Sequence, residues 1–154
     1  MKTYIQETVN PNLPGIILLS HGPLAVSLVD TAKMVFGESE NLAAFSFEEG
    51  DDADQYRLKV AETIDRFPEG SVVMLDLFGG TPCNQMMRDI QETGKPLEVV
   101  AGMNLPMLVS TFLARESMDG KTLSLDAASN GKEGVLRVDI EGFLSDDDDD
   151  DDLE

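Results

Sequence analysis

Apolar residues in this chain fall into two kinds of run. Ile16-Ile17-Leu18-Leu19 and Val72-Val73-Met74-Leu75 are unbroken, which predicts short strands buried on both faces. Leu42-Ala43-Ala44-Phe45-Ser46-Phe47 and Leu97-Glu98-Val99-Val100-Ala101 predict two more. Elsewhere apolar positions recur at helical steps. Leu24, Leu28, Val29, Ala32, Val35 and Phe36 predict a helix over 23–36, ended by Gly37. Ala53, Tyr56, Val60, Ile64 and Phe67 predict a second, capped by Asp51 or Asp52 and stopped by Pro68. Thr81-Pro82 opens a third, with Cys83, Met86, Met87 and Ile90 inward. A fourth runs from Pro106 to about Arg115, and 121–129 predicts a weakly amphipathic fifth.

Strands alternating with helices predict an α/β fold with a doubly wound, mainly parallel sheet. Counting strands from Gly15–Ser20, the expected order is 2-1-3-4, with a switch point between the first and third. Val135-Leu136-Arg137-Val138-Asp139-Ile140 alternates apolar and polar with period two, which predicts an antiparallel edge strand, half exposed or paired with another subunit. Residues 1–14 carry two prolines and two asparagines with little periodicity and read as an extension of the domain at 15–144. Residues 145–154 read as a disordered acidic tail.

Charge narrows the function classes. The formal net charge is −19, from 30 acidic and 11 basic residues. Asp146–Asp152 and Glu154 hold eight of the acids, so the body alone keeps 22 against 11. Such a surface cannot neutralise a row of phosphates, which argues against nucleic acid and leaves a basic protein as the favoured partner. A single cysteine excludes an internal disulfide and a thiolate metal site. No run reaches membrane-spanning length and no signal peptide is visible, so a cytoplasmic location is expected.

Two strand ends carry the candidate chemistry. The first strand delivers the only histidine, His21, between Ser20 and Gly22-Pro23; the third delivers Asp76 ahead of Leu77-Phe78-Gly79-Gly80-Thr81-Pro82. A lone histidine is more often structural, yet at a strand end it can be nucleophile, base or ligand. Asp76 is a helix cap, a metal ligand or the group that orients His21; metal is the weakest, since no second histidine or cysteine accompanies it. Gly22, Gly79, Gly80 and Thr81 can form an anion cradle of N–H groups and a hydroxyl, or an ordinary capped turn. No G-x-x-x-x-G-K-[ST] or G-x-G-x-x-G run follows a strand, so a small anion is expected, with no cofactor and no metal. Cys83 reads as packing. Phe78, Met103 and Leu105 fall in loops at the same edge, as core or as a docking surface.

With these residues placed, the chain resembles the mannose-type enzyme IIA component of the bacterial sugar phosphotransferase system. The resemblance spans roughly Gly15 to Ile140 and rests on Ser20-His21-Gly22, on Asp76-Leu77-Phe78-Gly79-Gly80-Thr81-Pro82 and on Gly102-Met103-Asn104-Leu105-Pro106-Met107. It implies that His21 accepts a phosphoryl group from the histidine-containing phosphocarrier protein and passes it to an enzyme IIB component, reaching a membrane permease only indirectly. Asp76 matches the hydrogen-bonding partner of the phosphorylated residue and Thr81 a hydroxyl near the phosphoryl group. The resemblance also implies a homodimer that exchanges its last strand. Two other readings share these residues: the phosphotransfer subunit of a dihydroxyacetone kinase, and a regulatory module binding a metabolite anion. Gly-Gly-Thr-Pro and Gly-Met-Asn-Leu-Pro-Met favour the transport system over the kinase.

Overall fold

The structure is a computed structural model that describes residues 1–79 and 81–151 of the 154. In chain order its strands are β1 (Lys2–Ile5), β2 (Ile16–His21), β3 (Leu42–Phe47), β4 (Val72–Leu75) and β5 (Glu98–Ala101). Its helices are α1 (Leu24–Phe36), α2 (Ala53–Arg66), α3 (Thr81–Thr93), α4 (Leu105–Ala114), α5 (Gly120–Glu133) and α6 (Ile140–Asp151). One sheet runs β1-β3-β2-β4-β5, with β2 through β5 parallel and β1 antiparallel to β3. The four parallel strands thus take the expected order.

Strand alternation divides the core into two layers. Ile16 and Leu18 of β2, with Val72 and Met74 of β4, pack against Ala25, Val29, Leu108 and Leu123 from α1, α4 and α5. Ile17, Leu19, Val73 and Leu75 point the other way, onto Tyr56, Val60 and Ile64 of α2 and Met86 and Ile90 of α3. With both faces covered, the unbroken apolar runs of β2 and β4 are what a central parallel strand requires. Among the described residues, no helix is long and apolar enough to cross a membrane.

Three expectations need correction. The antiparallel edge strand is present, but Lys2–Ile5 forms it, pairing Lys2 with Ser46 and Ile5 with Ala43. Residues 135–139 are irregular and their apolar side chains are exposed, with no described strand beside them. Residues 1–14 are therefore part of the sheet layer and its connections rather than an appended extension. The signal was short: Thr3-Tyr4-Ile5 has strand-forming residues, yet four positions are too few for a period to stand out. Finally, α6 continues a helical turn begun at Ile140 as far as Asp151, where an irregular tail was expected; residues 152–154 lie outside those described.

The end of the sheet at the start of β2 and β3 is locked by side chains. Asn41 is fully buried at φ 51°, accepts the Asn10 N–H at 2.8 Å and donates to the carbonyls of Asn10 and Leu13 at 2.7 and 2.6 Å. Arg115 lies buried beside it, donating to the Ser39 hydroxyl at 2.7 Å and the Glu40 carbonyl at 2.6 Å. Asn41→Ala orphans buried groups and puts a Cβ residue without a compensating amide at positive φ, a loss of about 3 kcal/mol. Thermal unfolding followed by circular dichroism should show a drop of about 10 °C in Tm, and Asn41→Gly should recover only about 1 kcal/mol of it.

Candidate functional site

β2 ends at His21 between two strands that part from it. The ladder continues on each side: Gly22 N–H donates to the Phe47 carbonyl at 2.7 Å and Asp76 N–H to the Leu19 carbonyl at 3.2 Å. Beyond those bonds the chain diverges, since β2 leads into α1 while β4 leads into α3, and a crevice opens at the carboxyl ends of β2 and β4. Alternation along β2 directs Ser20 toward α1 and His21 toward the layer of α2 and α3.

The crevice brings His21 and Asp76 together. Asp76 Oδ2 lies 3.0 Å from His21 Nδ1 and also accepts the His21 backbone N–H at 2.8 Å. Its other oxygen accepts the Leu77 N–H at 2.8 Å. Burial alone would raise the Asp76 pKa, but the His21 backbone N–H, the imidazole and the Leu77 N–H together hold the carboxyl below the usual carboxylate range. A ring nitrogen facing an ionised carboxylate carries a proton, so in the neutral imidazole Nδ1 is the N–H and the lone pair lies on Nε2. The His21 side chain is 53% exposed and that of Asp76 only 14%. The carboxylate thus holds the Nδ1 edge of the ring while about half of the side chain stays open to solvent.

Beneath the pair is a small cavity of about 30 Å³, walled by Leu19, Phe47, Tyr56, Leu75, Cys83 and Met86. Tyr56 turns its hydroxyl away, donating to the Phe45 carbonyl at 3.1 Å, and burial followed by the nearby Asp76 charge pushes its pKa up. The phenol therefore stays neutral beside the carboxylate. Cys83 is buried as packing in this wall.

The cradle candidates are placed unevenly. Gly22 at φ 62° and Gly79 at φ 111° both flank the crevice, and a Cβ at either would meet nothing within 4 Å, so the backbone turn rather than space demands glycine. Gly80 lies outside the described residues, as does the side chain of Thr81, which opens α3. Phe78 stands 74% exposed at the rim. Met103 is not a rim residue: it is buried in the layer of α1, α4 and α5, its N–H bonded to the Leu75 carbonyl at 3.0 Å. Leu105 is half-buried on that layer at the start of α4. In place of Met103 the exposed apolar neighbours of Phe78 include Leu77, which sequence reading passed over. It also passed over Tyr56 and Phe47, whose helical and strand periodicity marked them only as core. Among the described residues, no group of three His, Cys, Asp or Glu side chains is arranged to hold a metal ion.

Fold and site define a doubly wound α/β domain with a carboxylate-oriented histidine at its switch point. The family described as the PTS system fructose IIA component matches residues 15–127, and the chain belongs to this mannose-type family of phosphotransferase-system IIA components. It is 35% identical over 128 residues to the PTS system mannose-specific EIIAB component of Escherichia coli strain K12, an alignment covering 79% of this chain and 38% of that protein. The chain thus spans well under half the length of that relative. Over 111 residues it is 33% identical to the PTS system fructose-specific EIIA component of Bacillus subtilis, covering 71% of this chain and 75% of that one. Among solved structures, the mannose/sorbose specific IIA subunit of Enterococcus faecalis superposes with a TM-score of 0.73 at 29% identity, covering 83% of this chain and 96% of that chain.

The depressed Asp76 pKa makes a stability prediction. A carboxyl whose folded pKa lies below its unfolded value, about 3.9, stabilises the fold above that pH and loses the contribution as pH falls through the folded pKa. Urea unfolding of the wild type should therefore weaken steadily below about pH 4. Asp76→Asn should lack that part of the slope, and it should be less stable at neutral pH because its amide NH2 must face an N–H donor at one of the two oxygen positions.

Proposed function

We propose that the chain is a phosphoryl carrier, accepting a phosphoryl group on His21 Nε2 from the histidine-containing phosphocarrier protein and passing it to an enzyme IIB component during sugar uptake. The observation that carries this is the 3.0 Å contact between Asp76 Oδ2 and His21 Nδ1, which in the neutral ring places the lone pair on Nε2 of a half-exposed side chain, in a chain of the PTS IIA family. The Nε2 lone pair forms the new N–P bond as the donor's N–P bond breaks, and that bonding pair returns to the donor imidazole. Nδ1 keeps its proton throughout, and Asp76 stabilises the positive charge that builds on the ring. Phosphoryl transfer passes through a loose transition state, so alignment and charge stabilisation supply most of the catalysis. Gly22, Gly79, Gly80 and Thr81 serve as the cradle for the phosphoryl oxygens, and Phe78 as an apolar contact for the docking partner. The reaction takes place in the cytoplasm.

The acceptor reading is tested by incubation with phosphorylated carrier protein and intact-mass analysis. Wild type should gain one acid-labile phosphoryl group and His21→Ala none, with stability altered by less than about 1 kcal/mol because the ring is half exposed. Phosphate retained by His21→Ala would point to another acceptor.

The same reading includes a homodimer in which the alternating segment at 135–140 pairs with the partner's sheet. Among the described residues nothing pairs with the outer edge of β5, and Val135, Leu136, Val138 and Ile140 are 59–77% exposed in the single chain. An unpaired edge and an unpaired alternating segment in one molecule are complementary. Sedimentation velocity should find a dimer for the full chain and a monomer for a chain ended after Glu133; equal masses would contradict the exchange.

A further inference from the structure

We propose that Ser20 is a positioning residue for His21, acting through the turn that carries the ring; this rests on the reading of His21 as the phosphoryl acceptor. α1 follows His21 after only Gly22 and Pro23, and Pro23, at the N-cap position, makes no side-chain cap. The first-turn N–H groups of a helix need acceptors from elsewhere. Ser20, pointed toward α1 by strand alternation and 4% exposed, supplies one: its hydroxyl oxygen accepts the Ala25 N–H at 2.7 Å. The same hydroxyl donates to the Gly22 carbonyl at 3.1 Å.

One side chain thus ties together the strand end, the residue after His21 and the first turn of α1. Gly22 has no side chain and sits in open space at positive φ, so packing does not hold it. Its restraints are hydrogen bonds, one from its N–H to the Phe47 carbonyl and one to its carbonyl from Ser20. Without the Ser20 hydroxyl the Gly22 carbonyl is released and the turn can rotate about the His21 backbone. Both the His21 N–H and Nδ1 bonds to Asp76 depend on that backbone.

An ordinary helix cap is the competing explanation, and the molecule contains its own comparison. Ser46, one strand over, accepts the Val26 N–H at 3.3 Å, capping the same end of α1 while making no bond to Gly22. If Ser20 acted only as a cap, losing either serine would have similar consequences for transfer.

The test compares Ser20→Ala, Ser20→Thr and Ser46→Ala in phosphoryl transfer from the carrier protein, with ¹⁵N NMR of the His21 imidazole in the unphosphorylated chains. Ser20→Ala should lower the maximal transfer rate about tenfold or more, the expected scale for a reacting group displaced by part of an ångström. The carrier concentration for half-maximal rate should stay within about twofold of wild type. Its Nδ1–H should exchange faster with solvent, and Ser20→Thr should restore both readouts while Ser46→Ala leaves both unchanged. Wild-type rate and exchange in Ser20→Ala would overturn the proposal, as would an equal loss in Ser46→Ala. A wild-type chain that takes up no phosphate would instead defeat the acceptor reading, and the imidazole exchange would still judge Ser20.

Discussion

Three N–H groups converge on the Asp76 carboxylate, and the rest of the site depends on that convergence. Two come from His21 and one from Leu77, so the same carboxylate fixes the strand end, the imidazole and the loop after β4. Its position follows from sheet register. Leu19 pairs with Leu75, and the Asp76 N–H extends that pairing by one bond, leaving its side chain level with His21. A slip of one residue would set Leu75 or Leu77 there and leave the ring unheld.

The two ends of the sheet are built differently. At one end Asn41 and Arg115 are buried and satisfied by many bonds. At the other, backbone hydrogen bonds and small residues hold an exposed ring over a wall of Leu19, Phe47, Tyr56 and Met86. In the proposed carrier role, that division lets one nitrogen meet a partner while the other stays fixed. The neutral Tyr56 phenol adds no competing charge next to the carboxylate.

Much of this was legible from residue order. The unbroken apolar runs identified β2 and β4 as central strands, and the Gly/Pro turns after them located His21 and Asp76 on a common edge. The helix over 120–133 was visible only in outline, because its apolar stripe is weak. What escaped had physical causes. β1 is four residues long, and its pairing with β3 is a tertiary contact no local period reports. The 135–140 segment has strand alternation, but alternation states which side chains share a face and not whether a neighbouring strand is there to pair with, and in this chain residues 135–139 are irregular. Met103 sits in a loop motif yet is buried in the core, since its backbone continues β5 and still bonds to the Leu75 carbonyl of β4 before α4 begins. Ser20 stood in plain view in Ser-His-Gly, and only coordinates connect its hydroxyl to Gly22 and Ala25.

The most direct test of the central claim is which imidazole nitrogen bears phosphorus. After transfer to ¹⁵N-histidine-labelled protein, ³¹P–¹⁵N coupling should locate the phosphoryl group on Nε2, with the Nδ1 proton still present and bonded to Asp76. Phosphorus on Nδ1 would contradict the account, because that nitrogen is the one the carboxylate occupies.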